Sequence, residues 1–348
     1  VPIMPHRAFF AFLMPSLLAM VLFILLPLIS VGYQSLFSPP RDIEVLSEIC
    51  STNFLTGVRS CEQTVTIEKV EGPNIFRGLD FFCGRSVLAC GELATGWSEN
   101  KGGMGEYWSK VVLNLPLYKA MAFTMFYTLI TTPFIIVLGL VVALVVDNLW
   151  RPLRGPTIFA SLLPFIVTPL VGSLVLFWMT DNTGGLLYTL TNTLAFWADD
   201  FSLRASPQAT WSVIAVYGIW HVTPFAFVVF YAGLQTVSQD QLEAAMIDGA
   251  PRFDRLRYVI LPHLMPLITF VLLIHIMDAF RVLEPIFGFQ AAANAQSVSY
   301  LIYEHLVLQA DKRYGSAAAT SVLTIVMVFI LLLPVLIRTW RDFRVAAR

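Results

Sequence analysis

Six long apolar runs constrain this chain more than any other feature of its sequence. They cover residues 8–33, 119–146, 156–179, 209–235, 264–289 and 316–337. A helix that crosses a bilayer needs about 20 mostly apolar residues, and each run is that long. Only 13% of the residues are charged, which is about half the share in a soluble domain. We therefore predict an all-α polytopic membrane protein with six transmembrane helices.

The first run is predicted to remain in the protein as a span. It is too long for the apolar core of a signal peptide, and no small-x-small cleavage site follows it before Ser38. The chain begins with Val rather than Met, so the sequence does not establish where the native N-terminus lies. The net charge of −1 gives no electrostatic footprint for a nucleic-acid partner.

Lys and Arg in the short loops predict the orientation. The 2–3 and 4–5 connections and the C-terminal tail are basic, through Arg151, Arg154, Arg252, Arg255, Arg257, Arg338, Arg341, Arg344 and Arg348. The 3–4 connection (180–208) has only Arg204, and the 5–6 connection has Lys312 and Arg313. Because basic loops stay in the cytoplasm, both termini are predicted to be cytoplasmic and the long 34–118 loop periplasmic.

The cysteines support the same orientation. All four lie in the 34–118 loop, at Cys50, Cys61, Cys83 and Cys90. Disulfides persist only in oxidising compartments, and the short separations favour the pairs Cys50–Cys61 and Cys83–Cys90. Free structural thiols remain an alternative, and metal binding is disfavoured because the loop has neither His nor a CxxC motif. We expect a disulfide-stapled extracytoplasmic loop after the first transmembrane helix.

One charged segment, "EAAMIDGAPRFDRLRYVILPHLMP" (243–266), interrupts the apolar runs. Ser238, with Gln three residues later, has the spacing of a capping box. Gly249 supplies a helix stop, and Pro251 suits the first turn of a second helix. The segment predicts two short amphipathic helices at the cytoplasmic surface, with Pro262 at the entry to the next span. From these residues alone, the pair docks either on lipid headgroups or on a protein.

The fifth run contains four polar residues at helical spacing, namely His275, Asp278, Arg281 and Glu284. Polar residues inside a span mark either a pathway or a contact between helices. The spacing predicts that all four lie along one face of the helix. Arg281 can pair with Asp278 or Glu284, so a structural ion pair of Arg281 and Glu284 is one interpretation and a polar solute path is the other.

The pattern "EAAMIDGA" (243–250), followed by Phe253 and "LP" (261–262), resembles the EAA loop in permease subunits of ATP-binding-cassette importers. The Asp before the Gly is similar to the carbohydrate-uptake branch, the family of the maltose-transporter permeases. Three more stretches resemble that family in order and spacing: "LLPFIVTPLVGSLVLFWM" (162–179), "WHVTPFAFVVFYAGLQTV" (220–237) and "YGSAAATSVLT" (314–324). The resemblance covers 119–340.

The resemblance implies that the loop is a pair of coupling helices in a cleft of a cytoplasmic ATPase. The residues that it assigns to ATPase coupling are Glu243, Ala244, Ala245, Asp248, Gly249, Ala250, Arg252, Phe253, Leu261 and Pro262. Glu243 is expected to pair with the ATPase, and Phe253 to anchor the second helix. The sequence has no Gly-Lys dipeptide and hence no phosphate-binding loop. We expect no enzyme activity and no cofactor in this chain, with ATP and Mg bound by the partner ATPase.

The family also implies a solute path along the spans on either side of the loop. The matching positions, with a neighbouring Trp that can stack on a sugar, are Trp220, His221, Val222, Phe225, His275, Asp278, Ala279 and Val282. The expected solute is a sugar or sugar derivative. The expected partners are an ATPase dimer, a homologous second permease, an extracytoplasmic solute-binding protein and the lipid of a bacterial inner membrane.

The predicted organisation has four parts: the N-terminus and first span (1–33), a periplasmic insertion (34–118), a five-helix permease core (119–340) with its coupling loop at 238–262, and a cytoplasmic tail (341–348). The insertion has no counterpart that resembles the family. Its short alternating runs predict a small β-rich cap that contacts the binding protein or gates the outer mouth. The sequence also departs from the family at Ser238, where Pro is common, and at 289–299, where a Gly-Gly-Pro motif is usual.

Two other classes of protein remain as alternatives. A passive channel or secondary transporter would transport solute without an ATPase. Many secondary carriers contain internal repeats, but the sequence has no second copy of the 243–262 pattern. A membrane oxidoreductase would need His ligands, for which His221, His263 and His275 are the candidates; His263 lies at the predicted membrane surface.

Overall fold

The computed structural model describes most of the chain. The described residues are 6–38, 43–52, 59–68, 74–99, 103–181, 184–186, 189–190, 193, 206–309 and 313–346. Among them, the helices are α1 (His6–Met20, continued by Val21–Leu25 and Leu26–Gln34), α2 (Asp80–Cys83), α3 (Cys90–Glu99), α4 (Met104–Lys110), α5 (Pro116–Asp147), α6 (Arg151–Ile166), α7 (Pro169–Met179), α8 (Pro207–Leu234), α9 (Gln239–Ile247), α10 (Arg252–Phe280), α11 (Glu284–Gly288), α12 (Val298–Leu308) and α13 (Tyr314–Ala346). The strands are β1 (Phe37–Ser38), β2 (Ile43–Thr52), β3 (Arg59–Glu68) and β4 (Ile75–Phe76).

The helical membrane fold is confirmed. In the described part of the chain, α1, α5, α8, α10 and α13 are long and apolar enough to cross a membrane. The bent pair α6–α7 brings the number to six if the pair counts as one span. The apolar side chains of α1 from Leu13 to Ile29 are exposed, as expected for a surface that contacts lipid.

The third apolar run does not form the single straight span predicted over 156–179. Helices α6 and α7 meet at an angle of 87°. Val167 and Thr168 between them are extended, with ψ of 126° and 142°. Proline disfavours the helical conformation in the residue before it, so Pro169 accounts for the break while itself starting α7.

The fifth run also ends earlier than predicted, because α10 stops at Phe280 instead of continuing to residue 289. In a continuing helix, the ring of Pro285 would clash with the carbonyl four residues earlier, at Arg281. The chain therefore leaves the helix at Arg281 and forms the separate short helix α11. The prediction that Arg281 and Glu284 share one helix face with His275 is wrong for this reason.

The charged segment has the predicted first helix but no separate second one. Ser238 is the N-cap of α9, yet its side chain makes no cap hydrogen bond, so the predicted capping box does not form. Pro251 is the N-cap of α10 rather than in its first turn. Helix α10 then runs through Pro262 into the span. A π-turn at Leu256–Ile260 shifts the backbone hydrogen bonds by one residue, so that the Leu261 N–H donates to the carbonyl of Leu256, five residues earlier. The predicted boundary at Pro262 is absent.

Helices α5 and α8 form the centre of the bundle and approach each other closely. A Cβ on Gly139 of α5 would lie 2.6 Å from the Cβ of Ala226 in α8. The buried hydroxyls of α5 mostly return to the carbonyl four residues earlier, as Thr124 does to Ala120 at 2.9 Å. Small residues at the contact let two helix backbones approach in lipid, and the α5 hydroxyls that bond to their own helix are not left unpaired at the contact.

The insertion contains helices as well as strands, which differs from the predicted β-rich cap. β2 pairs with β3 and β1 with β4, both antiparallel. The predicted disulfide Cys83–Cys90 is confirmed, and it joins α2 to α3. The register sets Cys50 opposite Cys61 in the β2–β3 hairpin, but the side chains of that pair lie outside the described part of the structure.

The disulfide-linked part of the insertion packs against the bundle. Val87 is buried in one cluster with Leu117 of α5, Leu301 of α12 and Ala319 of α13. The ring of Phe81 contacts Gly315 at the start of α13. This part of the insertion therefore covers the end of the bundle at which α5 and α13 begin.

Candidate functional site

The turn between α9 and α10, with the adjoining turns of both helices, projects from the bundle as a knuckle (238–262). Gly249 at the turn has φ of +77°, a left-handed conformation that suits glycine. Two hydrogen bonds close the turn, from Gly249 N–H to the Met246 carbonyl and from Ala250 N–H to the Ala245 carbonyl, both at 3.0 Å. This is the αL helix stop expected from the sequence.

The residues assigned to ATPase coupling all lie on the knuckle, and most are exposed. The exposed ones are Glu243, Ala244, Asp248, Gly249, Arg252, Phe253 and Pro262, while Ala245, Ala250 and Leu261 are half-buried. In the described part of the chain, Glu243 has no ion-pair partner. Phe253 is 66% exposed, so it does not anchor the second helix within this chain. A side chain of that size outside the apolar spans is available to a partner.

Two further exposed residues were missed in the sequence. Ile247 is 86% exposed and Tyr258 is 68% exposed. Ile247 lies off the apolar stripe of α9 that Leu242, Ala245 and Met246 predict, and that departure was the available signal. Together with Phe253, these are three large, exposed apolar or aromatic side chains on an otherwise charged knuckle, as expected of a surface that another protein covers.

Two residues of α8 satisfy the backbone at the break between α6 and α7. His221 Nε2 lies 2.9 Å from the carbonyl oxygen of Val167, and the Tyr217 hydroxyl donates to the Pro169 carbonyl at 3.0 Å. Since a carbonyl oxygen only accepts, His221 carries its proton on Nε2. Backbone groups at membrane depth need such partners, so His221 has a structural task in addition to its predicted place in the solute path.

His275 is buried against α5. Its Nε2 lies 2.9 Å from Thr131 Oγ1, and that hydroxyl donates to the Tyr127 carbonyl at 2.7 Å. The Thr131 oxygen therefore accepts from His275 Nε2, and His275 Nδ1 has no hydrogen-bond partner among the described residues. One turn further along α10, Asp278 is exposed, and its Oδ1 lies 3.7 Å from Arg281 Nη1. Arg281 thus pairs with Asp278 and not with Glu284.

The remaining predicted path residues fall into two groups. Trp220 lines a groove of about 770 Å³ between α5, α6 and α8, whose other lining residues are almost all apolar. Phe225 lies against Phe165 of α6, with ring centroids 6.4 Å apart, and Val222 beside them is half-buried. Ala279 and Val282, in contrast, are buried in the core and have no open surface to offer a solute.

No group of three or more His, Cys, Asp or Glu that could hold a metal ion occurs among the described residues. Each of the three candidate haem ligands has a hydrogen-bond partner within the chain. His221 and His275 bond within the bundle, and His263 Nε2 lies 3.0 Å from Oγ1 of Thr236, just beyond the C-terminal end of α8.

Comparison with known families decides the class of protein. Residues 115–346 match the family described as binding-protein-dependent transport system inner membrane component. The chain belongs to this family. It is therefore a multi-pass permease of the inner membrane, and the permease prediction holds over the channel or carrier and the oxidoreductase. The match begins at residue 115, just before α5, so α1 and all but the last four residues of the insertion lie outside it.

Individual relatives agree with the family match. The chain is 31% identical over 223 residues to the trehalose transport system permease protein SugA of Mycobacterium tuberculosis, covering 63% of this chain and 69% of that protein. It is 30% identical over 195 residues to the trehalose/maltose transport system permease protein MalF of Thermococcus litoralis, covering 55% and 64%. The permease also shares its fold with a chain of the bacterial alginate ABC transporter, with a TM-score of 0.56, 17% identity, and 71% and 85% coverage.

Proposed function

We propose that this permease forms half of the translocation path for a sugar or sugar derivative. Its relatives transport trehalose, trehalose or maltose, and sn-glycerol-3-phosphate by their names, which supports a sugar-class solute. The other half of the path comes from a homologous second permease, and an extracytoplasmic solute-binding protein delivers the solute. The chain acts without enzyme activity of its own.

The observation that carries the proposal is the exposed knuckle. A chain without a Gly-Lys phosphate-binding loop needs another protein to supply ATP energy. The knuckle offers that protein a tight turn at Gly249, the exposed side chains of Ile247 and Phe253, and the carboxylate of Glu243, which has no ion-pair partner among the described residues. Because α10 runs from the knuckle into the span as one helix, a displacement of the knuckle moves the span directly. ATP and Mg belong to the ATPase dimer.

The solute path is proposed along the faces of α8 and α10. Asp278 is an exposed carboxylate there, and a carboxylate accepts hydrogen bonds from sugar hydroxyls. His275 Nδ1 would be a second acceptor if transport uncovers it, since the ring is buried in this structure. Trp220 offers an apolar face on which a sugar ring can stack. His221 contributes by fixing the α6–α7 break rather than by direct contact.

The orientation and the four-part division are also proposals. The basic knuckle and tail favour the cytoplasm for both termini, and the Cys83–Cys90 disulfide favours an oxidising, periplasmic setting for residues 34–118. On this arrangement, the insertion covers the outer mouth, where it meets the solute-binding protein.

Affinity purification in mild detergent, followed by mass spectrometry and an uptake assay, tests the proposal. We expect an ATP-binding-cassette ATPase at two copies per permease pair, one homologous permease, and sugar uptake that needs ATP. The variant Glu243→Lys should reduce both ATPase recovery and uptake. Glu106→Lys, an equal charge change at a half-buried site on α4 that pairs with Lys110, should leave ATPase recovery unchanged. Uptake that persists without any ATPase would refute the proposal.

A further inference from the structure

A polar cavity of about 290 Å³ lies at the end of the bundle that the insertion covers. Its walls come from three places: the loop closed by the Cys83–Cys90 disulfide, the start of α5 with the residue Asn114 before it, and residues of and around α12, from Gln296 to Gln309, with Arg313 before α13. No residue of this cavity lines the apolar groove that contains Trp220. The cavity is therefore separate from the proposed solute path.

Three cationic side chains line the cavity, namely Arg85, Lys119 and Arg313. Arg85 Nε lies 3.2 Å from Glu92 Oε1, so its charge is already partly balanced. Lys119 and Arg313 have no ion-pair partner among the described residues. One carboxylate, that of Glu304, also lines the cavity. Even without Arg85, the cations outnumber the carboxylate by two to one.

A buried histidine adds an unsatisfied polar group. His305 is 2% exposed, lines the cavity, and has no hydrogen-bond partner for Nδ1 among the described residues. Arg313 is held beside it, since Arg313 N–H donates to the His305 carbonyl at 3.0 Å. Burial lowers the pKa of His305, and the nearby Arg313 cation lowers it further, to a smaller extent. The imidazole is therefore neutral, and one of its nitrogens can donate a hydrogen bond.

A neutral donor completes the set. Gln296 lines the cavity, and its side-chain amide makes no hydrogen bond within the described part of the chain. Asn114, in contrast, donates to the Lys110 carbonyl at 2.6 Å, which occupies one of its two amide protons. A buried polar group without a partner is costly, and here several donors and two cations without an ion-pair partner share one cavity.

We propose that this cavity binds an anionic group, a phosphate or a carboxylate, through Lys119, Arg313 and the neighbouring neutral donors. Such charge-assisted hydrogen bonds are about twice as strong as neutral ones. Since Lys119 lies in the first turn of a spanning helix, the anion comes either from a lipid headgroup at the membrane surface or from solution. Bound there, it links the disulfide loop, α5 and the start of α13.

The test measures thermal unfolding of the delipidated permease complex, purified with the full chain, in two arms. In the first arm, inorganic phosphate is titrated in neutral detergent against sodium chloride of equal ionic strength. In the second, nanodiscs of phosphatidylcholine are compared with nanodiscs that also contain phosphatidylglycerol. The variants are Lys119→Gln and Arg313→Gln. The matched control is Lys110→Gln, because Lys110 is exposed, pairs with Glu106 and does not line the cavity.

We expect saturable stabilisation in one arm, with an affinity about tenfold weaker in each cavity variant and unchanged in the control. A response to phosphate identifies a soluble anion, and a response to phosphatidylglycerol alone identifies a lipid headgroup. The proposal is overturned if neither probe stabilises the protein saturably, or if Lys119→Gln and Arg313→Gln both respond as the unmodified chain does. Because Arg313 is exposed, its variant is expected to fold, and sugar uptake measured in parallel separates this result from the proposed function.

Discussion

Substitution of Gly249 should weaken transport without lowering the amount of permease in the membrane. Gly249 has φ of +77°, a conformation that costs a residue with a Cβ about 1–2 kcal/mol. No atom lies within 4 Å of the position of an added Cβ, so the cost is conformational and not a clash. A cost of that size lowers the population of the observed turn by about 5–30-fold.

A series of side chains at position 249 separates the effect of backbone conformation from that of side-chain volume. Asn tolerates the left-handed region, Ala less so, and a β-branched residue least. Solute-stimulated ATPase activity of the reconstituted complex and uptake by cells should therefore fall in the order Gly, Asn, Ala, Val. Gly155→Ala is the matched control, since its Cβ also meets nothing within 4 Å but its position lies inside α6.

Two results would refute this reasoning. If Gly249→Asn were as poor as Gly249→Val, side-chain volume rather than backbone conformation would matter. If every variant transported normally, the geometry of the turn would have no part in coupling.

Three other perturbations have expected outcomes in the bundle. Gly288→Ala would place a Cβ 2.8 Å from a carbonyl oxygen of α7 and should destabilise the purified protein by about 1–3 kcal/mol, seen as a lower melting temperature. Thr131→Val leaves the Nε2 proton of buried His275 without an acceptor and should cost about 1–3 kcal/mol in the same assay. Burial and the Arg313 cation lower the pKa of His305 from 6.5. The free energy of unfolding should therefore decline as the pH falls below about 6.5, and the decline should end once the pH is below the lowered pKa of His305 in the folded protein. The variant His305→Gln should flatten that decline.

Each of these has a control and a contradicting result. Gly155→Ala should leave the melting temperature unchanged or raise it slightly, because alanine favours a helix. Thr269→Val should cost less than Thr131→Val, because Thr269 bonds only the Met265 carbonyl of its own helix. Equal losses in either comparison, or an acid profile that His305→Gln does not alter, would contradict the corresponding argument.

The sequence predicted the number of spans well and their shapes less well. The length of an apolar run reports whether a helix can cross a membrane, but prolines determine where it breaks. Pro169 and Pro285 were visible in the third and fifth runs, and each accounts for a break that run length alone did not predict. At Pro262 the opposite occurred, because a π-turn allowed the helix to continue.

The site was predictable to different degrees. Gly249 at a helix stop is a local property, and its left-handed φ agrees with the pattern. The partners of His221 and His275 are not local, since the Val167 carbonyl and the Thr131 hydroxyl come from distant positions in the chain. The helical periodicity of the sequence therefore could not predict these hydrogen bonds. The exposure of Ile247 likewise depends on how α9 is held relative to the bundle.

The insertion illustrates the same limit. The short separation of Cys83 and Cys90 was enough to predict their disulfide. The short helices around it were not predicted, because helices of that length are marginal in isolation and need tertiary packing. The contact of Phe81 with Gly315 supplies such packing.

The central claim is that the knuckle docks on an ATPase, and a photo-crosslinker at Ile247 in native membranes tests it most directly. Ile247 is 86% exposed at the end of α9, and the same label at exposed Trp97 of the insertion is the control. We predict a crosslink from Ile247 to an ATP-binding-cassette ATPase, identified by mass spectrometry, and none to it from Trp97. Crosslinks from Ile247 to lipid alone, in cells that still take up sugar, would contradict the account.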